Sequence, residues 1–351
     1  MHSATVKEKV PLLSEEIARL ATRPLTFMEV CGTHTMAIAR HGIKSLLPPA
    51  ISIVSGPGCP VCVTSATDIE RAITLGDTPG VLVATFGDMI KVPGEKRTLG
   101  SATNVKVIYS PLDALELARK SPHLQVVLLG IGFETTAPLM AAAVLQARRE
   151  ALPNFSTLSM HKMVPQALSL LLSDENSALS GFILPGHVSA ITGRKYYNFL
   201  EGSAVSSVIA GFEPLDIMES LYRLVQACMA HDCRPINNYP RIVKEEGNTK
   251  AMETLFRVFE PCDTSWRGIG TIPLSGLALK EEFAQFDASA RFDLPTREIP
   301  EPKGCLCGAI LMGKALPDSC RHFGTACTPS FPIGPCMVST EGTCAAWFKY
   351  H

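Results

Sequence analysis

Short apolar runs, each followed by a Gly- or Pro-bearing polar turn and then by helical spacing, recur along the chain as far as about residue 234. Phe27–Val30 runs into Cys31-Gly-Thr-His-Thr and a helical stretch Met36–Leu47, and Ile51–Val54 runs into Ser55-Gly-Pro-Gly-Cys-Pro-Val-Cys62 and Thr67–Leu75. Val81–Ala84 ends at Thr85-Phe-Gly-Asp88, and Val126–Leu129 leads through Gly130-Ile-Gly-Phe-Glu-Thr-Thr136 to a helix ending near Glu150. Phe155–Met160 precedes Pro165–Leu172, Phe182–Leu184 meets Pro185-Gly-His-Val-Ser189, and Ser206–Ala210 precedes Pro214–Ala230. Strands alternating with helices predict an α/β protein whose parallel sheets are covered by helices on both faces. In such sheets functional groups gather beyond the carboxyl ends of the strands, and each marked motif falls there.

The 351 residues exceed what one core usually serves. A division near Ser121-Pro122 separates one α/β lobe, 1–121, from a second, 122–234. A weak likeness between their units hints at duplication. From 235 to 351 prolines, charges and irregular spacing increase, which predicts a smaller mixed C-terminal domain approached through Pro295–Pro302. At the N-terminus, Leu12, Ile17 and Leu20 among charged residues predict an amphipathic helix rather than a signal peptide.

Net charge is −1 and the basic residues are scattered, which argues against a nucleic-acid partner. The most apolar stretch, Val126–Leu145, is interrupted by Gly130, Gly132, Glu134 and Pro138, so it reads as strand plus helix and not as a membrane span. Many cysteines without an export signal imply a reducing, cytoplasmic setting, where thiols serve as ligands or redox centres more than as staples.

Twelve cysteines are present, six of them at 305, 307, 320, 327, 336 and 344. Paired CxxC knuckles, the usual mark of zinc, are missing from this tail. Long unequal loops suit an iron–sulfur cube instead, with two thiols left over, although spacing does not say which four are ligands. Upstream, Cys59-Pro-Val-Cys62 follows a strand near a helix start, where unpaired N–H groups favour thiolate. It reads as a redox dithiol or half a metal site. Cys31 and His34 share a turn and are iron or zinc ligand types. Gly130–Thr136 lacks the ending of a phosphate loop, and its Glu134 either orients a ligand or belongs to a helix-entry turn. His187 either faces Cys31 and Cys59/Cys62 across the lobe interface or caps its own helix. Cys228 reads as core. Three functions fit these features: metal-centre assembly, a freestanding iron–sulfur thiol–disulfide oxidoreductase, and a zinc-stabilised interaction module.

Together the motifs resemble the HypD family of hydrogenase maturation proteins. The likeness rests on Cys31-Gly-Thr-His-Thr, Gly56-Pro-Gly-Cys-Pro-Val-Cys62, Gly132-Phe-Glu-Thr-Thr136, Pro185-Gly-His-Val-Ser-Ala-Ile-Thr-Gly193 and Cys336-Met-Val-Ser-Thr-Glu-Gly-Thr-Cys344-Ala-Ala. It covers the chain from about residue 25 onward. The resemblance implies a scaffold where Fe(II), as cargo, receives cyanide and CO before delivery to the large subunit of a nickel–iron hydrogenase. It implies a HypC-like small chaperone and a HypE-like cyanide donor as partners. By motif, Cys31 is the expected iron ligand with His34 nearby, Cys59/Cys62 a dithiol, and Glu134 and His187 further site residues. The tail is expected to hold a [4Fe-4S] cluster through Cys305, Cys320, Cys327 and Cys344, leaving Cys307 and Cys336 as a redox pair.

Overall fold

The computed structural model describes residues 6–174 and 178–351. In chain order the strands are β1 (Leu25–Glu29), β2 (Ile51–Ser55), β3 (Val81–Thr85), β4 (Val105–Val107), β5 (Gln125–Gly130), β6 (Phe155–Ser159), β7 (Gly181–Pro185), β8 (Ser206–Ala210), β9 (Ile236–Asn237), β10 (Phe259–Trp266) and β11 (Gly270–Leu279). The helices are α1 (Val6–Leu20), α2 (Gly32–Arg40), α3 (Pro60–Val63), α4 (Ala66–Asp77), α5 (Pro111–Lys120), α6 (Ala137–Arg149), α7 (Val164–Leu172), α8 (Gly186–Thr192), α9 (Pro214–Ala230), α10 (Thr249–Val258), α11 (Ala288–Arg291), α12 (Cys307–Leu311) and α13 (Thr343–Tyr350).

Two parallel sheets organise the molecule. One has the order β2-β1-β7-β8-β9 and the other β4-β3-β5-β6. Both are α/β sheets with apolar strands: β7 and β8 are buried at every residue. The first four strands of each sheet follow one topological plan, with the first strand in sequence lying between its successor and the third. The chain therefore reverses direction across the sheet between β1 and β7, and again between β3 and β5. Such reversal points open a crevice beyond the strand ends.

The sheets do not follow the division expected at residue 121. β3 and β4, expected in the first lobe, share a sheet with β5 and β6, while β1 and β2 share one with β7 and β8. The first sheet is thus discontinuous in sequence, with the continuous β3–β6 sheet inserted between β2 and β7. Residues 235 onward are likewise shared out. β9 extends the first sheet, α10 packs on α6 and α8, and the antiparallel β10–β11 hairpin touches α7 and β6. The cysteine-rich segment from about residue 303 caps the molecule, with Cys307, Leu311 and Cys336 packed into the main core.

The expected N-terminal helix is α1, with Ile17 fully buried and the helix packed on α9, although Leu12 is exposed. Residues 1–5 of that stretch lie outside the described residues. Among the described residues no helix is long and apolar enough to cross a membrane.

Candidate thiol and metal site

The Cys31 turn is held from beneath by a residue that pattern reading passed over. Glu29, the last residue of β1, is buried, and its Oε2 accepts the N–H of Cys31 at 3.1 Å while its Oε1 accepts the Thr35 hydroxyl at 2.6 Å. Burial pushes its pKa up to about 7, against the pull of its hydrogen bonds with Thr35, Ser55 and Cys31. Cys31 then stands as the N-cap of α2 in extended conformation. Burial pushes its thiol up to about 12, partly offset by the N–H of His34 and reinforced by the carboxylates of Glu341 and Glu29. A bound cation would reverse that preference, since a coordinating thiol loses its proton.

The second turn sits directly against the first. The N–H of Gly32 donates to the Gly58 carbonyl at 2.9 Å. A Cβ at Gly58 would lie 2.1 Å from the Cys31 nitrogen, so only glycine lets the two loops approach this closely. Cys59 N-caps α3, its Sγ accepting the N–H of Cys62 at 3.3 Å, and Pro60 occupies the first helical position, where a missing N–H costs nothing.

His34 is fully buried. Its Nε2 meets the Gly211 carbonyl at 2.9 Å, which sets Nε2–H as the donor and leaves Nδ1 an acceptor without a partner. Phe212 stacks against both His34 (centroids 4.7 Å apart) and His187 (4.0 Å). Burial lowers the pKa of His34 to about 4 and also lowers that of His187. Both rings are therefore neutral at neutral pH and free to act as ligands or acceptors. His187 and Cys31 follow strands of the same sheet and so do not face each other across two lobes. His187 begins α8 after β7, the strand next to β1, so both residues flank one reversal point.

The cap closes over these turns. Glu341 Oε1 accepts the Thr33 hydroxyl at 2.7 Å, and Ser339 donates to Asp88 Oδ2 at 3.0 Å, tying the cap to both lobes. The Glu341 carboxylate acts on Cys31, Cys59, Cys62 and His187, raising the pKa of each. Cys307 and Cys336 face each other with Sγ atoms 2.9 Å apart. Burial alone would raise Cys62, but hydrogen bonds from the Cys336 and Cys59 thiols outweigh it and bring Cys62 down to about 6. Cys59 and Cys336, as the donors, are pushed well up, Cys59 first by burial and Cys336 first by its contact with Cys307. Cys307 and Cys336 thus meet sulfur to sulfur, and the Cys62 thiol lies against the Pro335 carbonyl next to Cys336, 3.9 Å from that oxygen.

All six tail cysteines line one tight pocket whose other walls include Ile310, Phe323, Ile333 and Met337. Cys320 and Cys327 are buried, whereas Cys305 and Cys344 are half-buried. Among the described residues no three His, Cys, Asp or Glu side chains converge tightly enough for one metal ion. Six soft sulfur donors around one mostly apolar pocket are the donor set of an iron–sulfur cluster rather than of a single hard cation.

Glu134 is not gathered with the cysteines. Its Oε1 accepts the Val164 N–H at 2.9 Å and the Tyr196 hydroxyl at 3.0 Å, its Oε2 has no partner, and burial pushes its pKa up to about 7. Tyr196 belongs to the segment after α8, so this contact joins the two lobes. Cys228 is buried in α9 and donates to the Ser180 carbonyl, while Cys233 and Cys262 lie elsewhere, half-buried. Glu29, Phe212, Asp88 and Glu341 were missed. Asp88 and Glu341 lie in quoted motifs, but nothing in spacing marked them.

Thiols and neutral imidazoles gather where the first sheet reverses, at the ends of β1 and β7. The HypD family profile, described as the hydrogenase formation hypA family, matches residues 8–351. The hydrogenase maturation factor HypD of Rhodobacter capsulatus is 40% identical over 97% of this chain and 93% of its own length. HypD of Escherichia coli is 39% identical over 96% and 92%. A putative hydrogenase expression/formation protein of Methanocaldococcus jannaschii is 40% identical over 98% and 95%. The chain belongs to the HypD family of hydrogenase maturation factors.

Proposed function

We propose that this protein is the scaffold on which the iron of a nickel–iron hydrogenase acquires its cyanide and CO ligands, in the cytoplasm, with a HypC-like chaperone closing the site and a HypE-like protein supplying cyanide. The observation that carries the reading is that the Cys59–Cys62 turn touches both the Cys31 turn, through Gly32 and Gly58, and the Pro335–Met337 turn that bears Cys336 beside Cys307.

Cys31 is the proposed ligand of the Fe(II) cargo. The first N–H groups of α2 partly offset the burial that keeps the Cys31 thiol protonated, and a bound cation would complete its ionisation. Cyanide and CO stabilise low-spin Fe(II), for which thiolate is a suitable co-ligand. Cys305, Cys320, Cys327 and Cys344 would hold a [4Fe-4S] cluster, which when bound supplies single electrons. Cys307 and Cys336 are then the adjacent redox pair. In thiol form they reduce a Cys59–Cys62 disulfide by exchange. The Cys336 thiolate attacks the Cys62 sulfur and Cys59 leaves; Cys307 then attacks Cys336 and frees Cys62. Two electrons move, two thiols appear and one disulfide is left in the tail. The dithiol at 59/62 matches the two electrons needed to free cyanide from a thiocyanate-like carrier.

Anaerobic co-purification with a HypC-like chaperone tests the reading. Iron–cyanide infrared bands are expected in the complex and absent with Cys31→Ala. Bands that persist in the variant remove Cys31 as ligand. Turnover with a thioredoxin-like acceptor and no need for the chaperone would favour the freestanding oxidoreductase instead.

A further inference from the structure

The outer side of the cap has an exposed aromatic surface that these thiols do not use. Thr328 and Phe331 exchange backbone hydrogen bonds at 3.2 and 3.0 Å, making a tight turn that starts one residue after Cys327. The Sγ of Cys327 accepts the N–H of Ile333 at 3.3 Å just beyond it. Phe331 at the turn is 77% exposed and Phe348 is 43% exposed. Phe348 stands edge-on to Phe323 at 6.1 Å, and Phe323 is itself a wall of the cysteine cavity. Phe348 therefore links the wall of the cysteine pocket to solvent, and Phe331 stands exposed on the turn that follows Cys327, another wall of it. Exposed aromatics of this size mark an interaction surface.

Charge says what kind of partner fits. From Lys303 to the end the chain has four Lys and Arg, at 303, 314, 321 and 349, against two acids, Asp318 and Glu341. Glu341 turns inward to Thr33, and Lys314 pairs with Asp174. Lys303, Arg321 and Lys349 are exposed and have no carboxylate partner among the described residues. Those three exposed cations against one exposed acid, Asp318, leave this segment basic on a chain whose net charge is −1.

We propose that this face docks an acidic one-electron carrier protein, with Phe331 at the contact and Lys303, Arg321 and Lys349 steering the approach. The proposal rests on reading the tail as the electron entry. Two carrier molecules each lose one electron, and with two protons from solvent a Cys307–Cys336 disulfide becomes two thiols. Entry from the outside leaves the Cys31 side open to the chaperone and the cyanide donor.

The full-length protein, purified without oxygen, is mixed with a reduced [2Fe-2S] ferredoxin as the acidic probe, and its affinity and oxidation rate are measured at low and high salt. Binding should weaken with salt. The double variant Lys303→Glu, Lys349→Glu should bind at least about tenfold more weakly, and Phe331→Ala should also weaken binding, both with the absorption near 400 nm unchanged. Lys106→Glu, on the other lobe, should bind as wild type. The docking proposal fails if the probe does not bind, if the tail variants match wild type, or if Lys106→Glu weakens binding equally. A wild-type protein without that absorption sinks the underlying reading as well, which separates the two failures.

Discussion

Cys307 and Cys336 bring their sulfurs to 2.9 Å although twenty-nine positions separate them in the chain. The contact lies between α12 and the Pro335–Met337 turn, and Cys62 reaches it from the lobe below. Both thiols are buried, so a disulfide there would exchange with Cys62 more readily than with a solvent thiol.

This arrangement predicts a specific cross-link. Mild oxidation of the full-length protein should give a Cys307–Cys336 disulfide as the main product by peptide mass mapping. With Cys307→Ser, Cys336 should link to Cys62 instead. Absence of both species would remove the relay.

Cys62 should be the reactive thiol of its pair. A pKa near 6 means that its alkylation rate holds level above neutral pH and falls about tenfold for each pH unit below the midpoint. Cys59, held protonated beside it, should react slowly throughout. Mass-resolved alkylation between about pH 4.5 and 9 checks this, and a faster Cys59 would reverse the assignment.

Much of this organisation was legible in the chain. β1, β2, β3, β5, β7 and β8 fall where apolar runs predict them, because a buried parallel strand leaves an unmistakable apolar stretch between turn residues. The helix Pro214–Ala230 is found at its expected bounds. Which strand pairs with which was not legible, since pairing is a long-range choice and adjacent apolar runs look alike. Cys31 and Cys59 were marked by their turns, but the Gly58 approach that joins them exists only in three dimensions. Glu29 gave no signal either: it reads as the polar end of a strand and becomes a support only when Cys31 folds back over it.

Gly58→Ala tests that approach. The added carbon would collide with the backbone of Cys31, which cannot turn aside as a side chain can. The expected cost is about 1–3 kcal/mol, with loss of iron binding at Cys31. An unchanged melting temperature with normal iron content would mean the loops tolerate separation.

Glu134 should make stability depend on pH. Its folded pKa of about 7 lies above the value of a solvated glutamate, so the folded state holds the proton longer than the unfolded chain. The stabilisation is full below the unfolded pKa and is lost as pH rises toward about 7. Glu134→Gln keeps the oxygen that accepts from Val164 and Tyr196 and removes the titration. It should match wild type near pH 4 and exceed it by roughly 1–3 kcal/mol at pH 8. Parallel pH dependence of the two proteins would show that the carboxyl ionises without penalty.

Glu341 links the cap to the chemistry through charge as well as through Thr33. Its carboxylate opposes ionisation of Cys31, Cys59 and Cys62 and favours protonation of His187. Glu341→Gln keeps an oxygen for the Thr33 hydroxyl but removes the charge. The alkylation midpoint of Cys62 should therefore move to lower pH, and the His187 imidazole, followed by NMR, should titrate lower as well. A purely structural role would move neither group. Shifts in opposite directions would place the carboxylate's influence elsewhere. Both moving down together is the signature of one negative charge withdrawn from a shared site.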